Sequence, residues 1–410
     1  MHILIIAYAC EPNRGSEAGT AWNLVQKLNN FHRISVITRA NNRDVIDKEA
    51  DNSIGNHAAQ FHYVDPPSWV IWLKLKKLIP VQLFYVFWQF AVSQYLKRNK
   101  IDHDIIHQLT FNSFEMPPYT FMKSDGIKIW GPIGGGQHTP RSMLCAYSTV
   151  ERVKEVLRSL RLWVSTHNPL TRAVLSSCHK ILFANKETHE LLHPYIHGEA
   201  IRMIDVGVDT SKFATTRSDE KSTVTTFLTA GELVARKGTI LAIEAFKRLS
   251  ELNKDFRLII IGDGPERYRI EKKINEHNLK HLISLRGKVS HQEMMHEIKK
   301  ADIFIFPSLR DTSGTVVLEA MSMGLPVICF DHQGAKEMID SNSGVRVPIT
   351  NYHETIENLS SAMKLLAENY ELRIQCGKFA RKSSLEYDWD RKAKFLSKLY
   401  SSVGSNAELQ

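Results

Sequence analysis

Short apolar runs, each about one strand long, alternate with longer amphipathic stretches along the whole chain. In the first half the runs are Ile3–Ala7, Ile34–Thr38, Gln60–Val64, Ile105–His107, Ile127–Trp130, Lys180–Ala184 and Arg202–Val206. In the second half they are Thr225–Ala230, Leu258–Gly262, Ile283–Leu285, Ile303–Phe306 and Val327–Phe330. Segments of helical period, such as Glu17–Asn29 and Asn185–His193, lie between several of them. A strand that is apolar on both faces belongs in a parallel sheet covered by helices on both sides. The expected fold class is therefore α/β, with two doubly wound Rossmann-like domains. The polar segment Ala214–Ser222 reads as the linker between them.

Length agrees, since 410 residues are enough for two domains that each bury a full core. A hydrophobic content of 43% with 24% charged residues is that of a water-soluble globular chain. The run after Met1-His2 reads as a buried first strand, not a secretory leader. The five cysteines are scattered, with no Cys-x-x-Cys pair, which points to a reducing cytoplasm and no zinc site. A net charge of +9 suits anionic partners. No nucleic-acid recognition module accompanies it, so an anionic lipid surface or an anionic nucleotide fits better.

The densest chemistry lies in Pro307–Ile328. The strand Ile303–Phe306 ends at Pro307, a polar loop follows, and Ser313-Gly314 opens an apolar helix containing Glu319. A helix N-terminus offers free N–H groups and a favourable dipole to an anion. Asp311 and Glu319 flank that turn and can accept from hydroxyls. Upstream, Gly231-Glu232-Leu233-Val234-Ala235-Arg236-Lys237-Gly238 follows the strand Thr225–Ala230, placing Lys237 at the mouth of a parallel sheet. Gly262-Asp263-Gly264 lacks the third glycine of a dinucleotide fingerprint, that position being Arg267.

These segments resemble the nucleotide-sugar site of the retaining glycosyltransferases of family 4. The match runs in order through Val206-Gly207-Val208-Asp209 with Phe213, Gly231–Gly238, Ile261–Pro265, Arg286–Ser290 and the Asp311/Glu319 pair. The pair keeps the family's spacing of seven intervening residues, with Asp in place of the first Glu. The second position of the Gly231–Gly238 motif, commonly arginine, is Glu232.

The resemblance implies the GT-B fold, two Rossmann-like domains facing across a cleft. Residues 1–205 would form the acceptor-side domain, with a C-terminal helix (386–410) packing back on it, and 206–385 the nucleotide-sugar domain. It implies that Lys237, with Arg236, meets the donor diphosphate, Asp311 the donor sugar's hydroxyls and Glu319 the ribose. Gly314, Thr315 and Val316 would offer backbone N–H groups to the phosphates. Gly264 and Lys288 fall on motif segments expected to line the nucleotide, and Gly15 on a loop facing the donor phosphates and acceptor. Asp311 reaches about 1.5 Å less far than Glu, so the sugar must sit closer or a water must bridge.

The implied activity is transfer of a sugar from a UDP- or GDP-sugar to a lipid-linked or oligosaccharide acceptor, with retention, in bacterial surface polysaccharide synthesis. No cofactor is expected, and no metal for the chemistry, the cations replacing it. A nucleotide-sugar epimerase of the same fold and a non-catalytic scaffold are the alternatives. The family's active-site histidine position holds Gly131-Pro132, which leaves His138 and His107 as nearby candidates.

The segment 66–100 has no Asp or Glu, eight aromatics and six cations. Interruptions by Pro80, Gln82, Gln89, Ser93 and Gln94 make it unsuited to crossing a bilayer. Its composition suits docking at the headgroup boundary, so the expected location is cytoplasmic, peripheral on the inner membrane.

Overall fold

The computed structural model describes residues 1–51, 59–213, 223–252 and 255–407. The expected linker Ala214–Ser222 lies outside these residues. The chain divides into two units: Met1–Gly136, Leu160–Gly207 and Trp389–Gln410 form the first, and Gln137–Ser159 with Val208–Asp388 the second.

The first unit holds strands β1 (His2–Ile6), β2 (Arg33–Thr38), β3 (Gln60–Tyr63), β4 (Ile105–Gln108), β5 (Ile127–Ile133), β6 (Lys180–Phe183) and β7 (Glu199–Arg202). They make one sheet in the order β3-β2-β1-β4-β5-β6-β7, all pairs parallel. Apolar side chains from both faces fill two core clusters, one around Ile3, Ile5 and Val36 and one around Leu4, Ile6 and Ile106. The helix Trp389–Ala407 seals the first of these with Trp389, Leu396, Tyr400 and Val403.

The second unit holds β8 (Thr225–Ala230), β9 (Phe256–Ile261), β10 (Ile283–Gly287), β11 (Ile303–Phe306), β12 (Val327–Phe330) and β13 (Gly344–Val347). The order is β10-β9-β8-β11-β12-β13, again all parallel. Two Rossmann-like α/β domains are thus present.

Three details depart from the sequence expectation. The last strand of the first sheet is Glu199–Arg202, not Arg202–Val206. It is an edge strand with exposed Glu199, Ala200 and Arg202, so its apolar signal is weak. The strand Gly344–Val347 was not anticipated; it too is an edge, and its Gly-Val-Arg-Val sequence is short and carries a charge. Finally, the unit containing most of 206–385 also includes 137–159, because Met143, Ala146 and Tyr147 are buried in its core.

In a doubly wound sheet, ligands bind at the carboxyl ends of the strands where the order reverses. That switch point lies between β1 and β4 in the first unit and between β8 and β11 in the second. The Gly231–Gly238 segment follows β8 and the Pro307–Gly314 loop follows β11, so the two motifs singled out from sequence meet there.

Candidate functional site

The second unit's switch point is built by two chain segments locked together. Ala235–Lys237 forms a 3₁₀ turn, and the Arg236 carbonyl accepts from Leu309 N–H at 2.8 Å. Gly238 ends that turn with φ of 66°, and a Cβ there would stand 2.0 Å from the Pro307 carbonyl oxygen. Only glycine permits this closeness of backbones. The helix Thr239–Ser250 then begins directly, anchored by buried Ile240, Leu241 and Ile243.

Lys237 Nζ pairs with Asp311 Oδ2. Arg236 lies 3.7 Å from the same oxygen and donates to the Arg310 carbonyl at 3.2 Å. The side chains of Lys237 and Asp311 are 18% and 17% exposed. The cation expected at the diphosphate and the carboxylate expected at the sugar therefore neutralise one another. Lys237 also sits 5.0 Å from the centre of the Phe306 ring. Beside it lies a small recess lined by Gly231, Glu232, Leu233, Lys237, Phe306 and Pro307 among others.

Residues that the sequence did not single out hold the Asp311 loop. Gln333 is buried at φ of 56°, a conformation uncommon for a side-chain-bearing residue. Its Oε1 accepts from Asp311 N–H at 3.1 Å and its Nε2 donates to the His138 carbonyl at 2.6 Å. Gln137 donates to Thr312 Oγ1 at 3.0 Å. Buried Glu155 accepts from Thr139 at 3.0 Å and pairs with Arg310 at 3.2 Å. No local sequence signal marks these residues, since their partners are distant in the chain.

After the loop, the helix Thr315–Ser322 starts at Gly314. The N–H groups of Thr315 and Val316 occupy its first turn, where an α-helix supplies no backbone acceptor. Glu319 stands further along, its side chain 13% exposed, and accepts from His291 Nε2 at 2.9 Å. Gly264 and exposed Lys288 follow the carboxyl ends of β9 and β10 in the same sheet.

Gly15 belongs to the first unit and caps the helix Ser16–Leu28 with ordinary extended backbone and open space where a Cβ would project. The glycine this turn requires is Gly19, whose Cβ would fall 1.8 Å from the Arg14 carbonyl oxygen. Glu17 in the same helix accepts from Asn112 N–H at 2.6 Å, tying this loop to the one after β4; burial raises its pKa.

The two histidines resolve differently. His107 is fully buried; its Nε2–H donates to the Gly131 carbonyl at 2.7 Å and its Nδ1 accepts from the Tyr400 hydroxyl at 2.6 Å. Burial lowers its pKa to about 4. With both nitrogens bonded, it is a neutral strut between sheet and terminal helix. His138 packs in the second unit, where burial and then Arg158 lower its pKa.

The 66–100 segment forms two helices, Ser68–Leu75 and Val81–Asn99. Its aromatics divide: Trp69, Trp72 and Phe90 are exposed, whereas Phe84, Tyr85 and Trp88 are buried in the first unit. Among the described residues no helix is long and apolar enough to cross a membrane, and no cluster of three metal-ligating side chains occurs.

Comparison with solved structures places this pair of α/β units among GT-B proteins. Sucrose-phosphate synthase from Thermosynechococcus elongatus superposes with a TM-score of 0.68 over 99% of both chains at 16% identity. Anabaena Alr3699/HepE, solved in complex with UDP, gives 0.65 over 98% of this chain and 100% of that one at 15% identity.

Residues 211–383, within the second unit, match the family model described as Glycosyl transferases group 1. Alpha-D-kanosaminyltransferase of Streptomyces kanamyceticus is 31% identical over 147 residues, 36% of this chain and 37% of that protein. The putative colanic acid biosynthesis glycosyltransferase WcaL of Escherichia coli K12 is 28% identical over 174 residues, 41% of this chain and 43% of that protein. The chain thus spans about two fifths of the length of the relatives it matches.

Proposed function

We propose that the protein is a glycosyltransferase that moves a sugar from a UDP- or GDP-sugar to a lipid-linked or saccharide acceptor, with retention of anomeric configuration. The observation that carries this reading is the meeting of Lys237, Arg236, Asp311 and a helix N-terminus at the carboxyl ends of β8 and β11. The matched domain type and the UDP bound by a protein of the same fold support it. The named role of WcaL supports a place in surface polysaccharide synthesis.

In this reaction the bond from the anomeric carbon to the diphosphate oxygen breaks. The acceptor hydroxyl attacks from the same face, and its proton passes to the departing phosphate. The site must stabilise negative charge that grows on the diphosphate. Lys237 does so by exchanging Asp311 for phosphate, which frees Asp311 to accept from sugar hydroxyls. The first-turn N–H groups of Thr315 and Val316 add aligned dipoles. Glu319, held by His291, accepts from the ribose. Fixed cations take the place of a divalent metal.

The Ser68–Leu75 helix, with exposed Trp69, Trp72 and Leu75 beside Lys74, Lys76 and Lys77, is proposed as a docking element at the cytoplasmic face of the inner membrane. Product analysis with a panel of radiolabelled sugar nucleotides and lipid extracts tests the activity. Label should move into acceptor with equimolar release of nucleoside diphosphate. An epimerised nucleotide sugar formed without acceptor, or no turnover with any donor, would refute it.

A further inference from the structure

The Thr149–His167 helix is amphipathic the wrong way round for a packed helix. Val150, Val153, Leu157, Leu160 and Val164 are spaced by three and four residues, so they form one stripe. Val156 and Trp163 widen it to a sector of about 140°. All seven are exposed, between 52% and 64%. The face turned inward includes Glu155, 7% exposed, and Thr166, 4% exposed, with Leu162 as its buried apolar residue. Solvent-exposed helices normally show the reverse. An uninterrupted apolar stripe of this length marks a surface that something covers.

The charges beside it say what covers it. The helix carries four cations and two carboxylates. Both carboxylates lie off the stripe, Glu155 buried and Glu151 with a side chain 25% exposed. Arg152 borders one edge, its guanidinium donating only to backbone carbonyls of Leu144, Cys145 and Tyr147. Lys154 and Arg161 border the other edge. They pair with Glu151 and Glu115, yet their own side chains remain 63% and 59% exposed. Cations on both edges of an apolar stripe, with a tryptophan within it, fit an anionic lipid interface.

A second copy fits less well. Lys154 and Arg161 stand beside the seam seven residues apart, where an antiparallel copy would oppose like charges. A parallel copy would set them against Val156 and Trp163.

We propose that the Thr149–His167 helix docks, apolar stripe inward, on an anionic lipid surface. The proposal is independent of sugar transfer and of the Ser68–Leu75 helix. Cosedimentation of the full-length protein with phosphatidylglycerol/phosphatidylethanolamine vesicles tests it, with pure phosphatidylcholine as the comparison. Binding should favour the anionic vesicles and weaken in high salt. The triple variant Val153→Ser, Leu157→Gln, Leu160→Gln should bind at least ten-fold more weakly with unchanged circular dichroism. The same loss should appear when the three substitutions are added to the Lys74→Glu, Lys76→Glu, Lys77→Glu protein. Vesicles should also shift the tryptophan emission of a Trp69→Phe, Trp72→Phe protein to the blue, and adding Trp163→Phe should remove most of that shift. Three results would each overturn the proposal: no binding by the wild-type protein, equal binding by the triple variant, or dimerisation in solution that the triple variant abolishes.

Discussion

Replacing Lys237 by alanine removes the cation closest to Asp311 and, on this account, the one that meets the leaving diphosphate. A unit charge about 4 Å away at an effective dielectric near 20 is worth about 4 kcal/mol. Part of this is already used in the resting state, because Lys237 must leave Asp311 first; a mostly buried pair partly replaced by new partners costs about 1 kcal/mol to exchange. The net of about 3 kcal/mol corresponds to about two orders of magnitude in kcat/KM. Activity should not vanish, since Arg236 stays 3.7 Å from the same carboxylate.

The fold should survive as well. Asp311 keeps Arg236 and the Thr312 N–H, which lies 3.0 Å from Oδ1. The change therefore does not leave a buried charge alone, and melting should fall by only a few degrees, about 1–2 kcal/mol. Steady-state release of nucleoside diphosphate, with circular dichroism as a control, makes the measurement. A folded variant within about three-fold of wild-type kcat/KM would refute the role given to Lys237.

The remaining expectations are as concrete. Turnover should persist within about two-fold in excess EDTA; activity lost there and restored by magnesium or manganese would show that fixed cations are not enough. The folded-state pKa of His107, about 4, lies below the ordinary imidazole value of about 6.5, so the unfolded chain binds more protons between those values. Stability should be complete above about pH 6.5 and decline by up to about 3 kcal/mol as pH falls to 4, and His107→Phe should flatten that slope in a series of thermal melts. Gly238→Val forces a Cβ into the Pro307 carbonyl at 2.0 Å and should cost roughly 3 kcal/mol in denaturant titration; an unchanged midpoint would mean that the turn and loop are not locked as described.

The central strands were legible because burial on both faces writes a continuous apolar run: Ile303–Phe306 and Val327–Phe330 begin and end where the sequence placed them. The edge strands Glu199–Arg202 and Gly344–Val347 were not, since they need cover on fewer sides and tolerate charge, although the opposite edges, Gln60–Tyr63 and Ile283–Gly287, were read. The acidic and basic residues of the candidate site announced themselves by motif. The pairing of Lys237 with Asp311 did not, because it depends on how closely two loops from different strands approach. Gln333 was hidden for the same reason, its role resting on an unusual backbone conformation and on partners far away in sequence. The Thr149–His167 helix was passed over because periodic apolar residues read as a core face, and only the structure shows that face turned outward.

Calorimetric titration of UDP and of GDP into the wild-type protein tests the central claim most directly. One of the two should bind with one-to-one stoichiometry. Lys237→Ala and Glu319→Gln should each weaken it by about ten-fold or more, as expected when a charged hydrogen-bonding group is lost. If neither nucleotide binds, or if binding is indifferent to both substitutions, the carboxyl ends of β8 and β11 are not a nucleotide-sugar site.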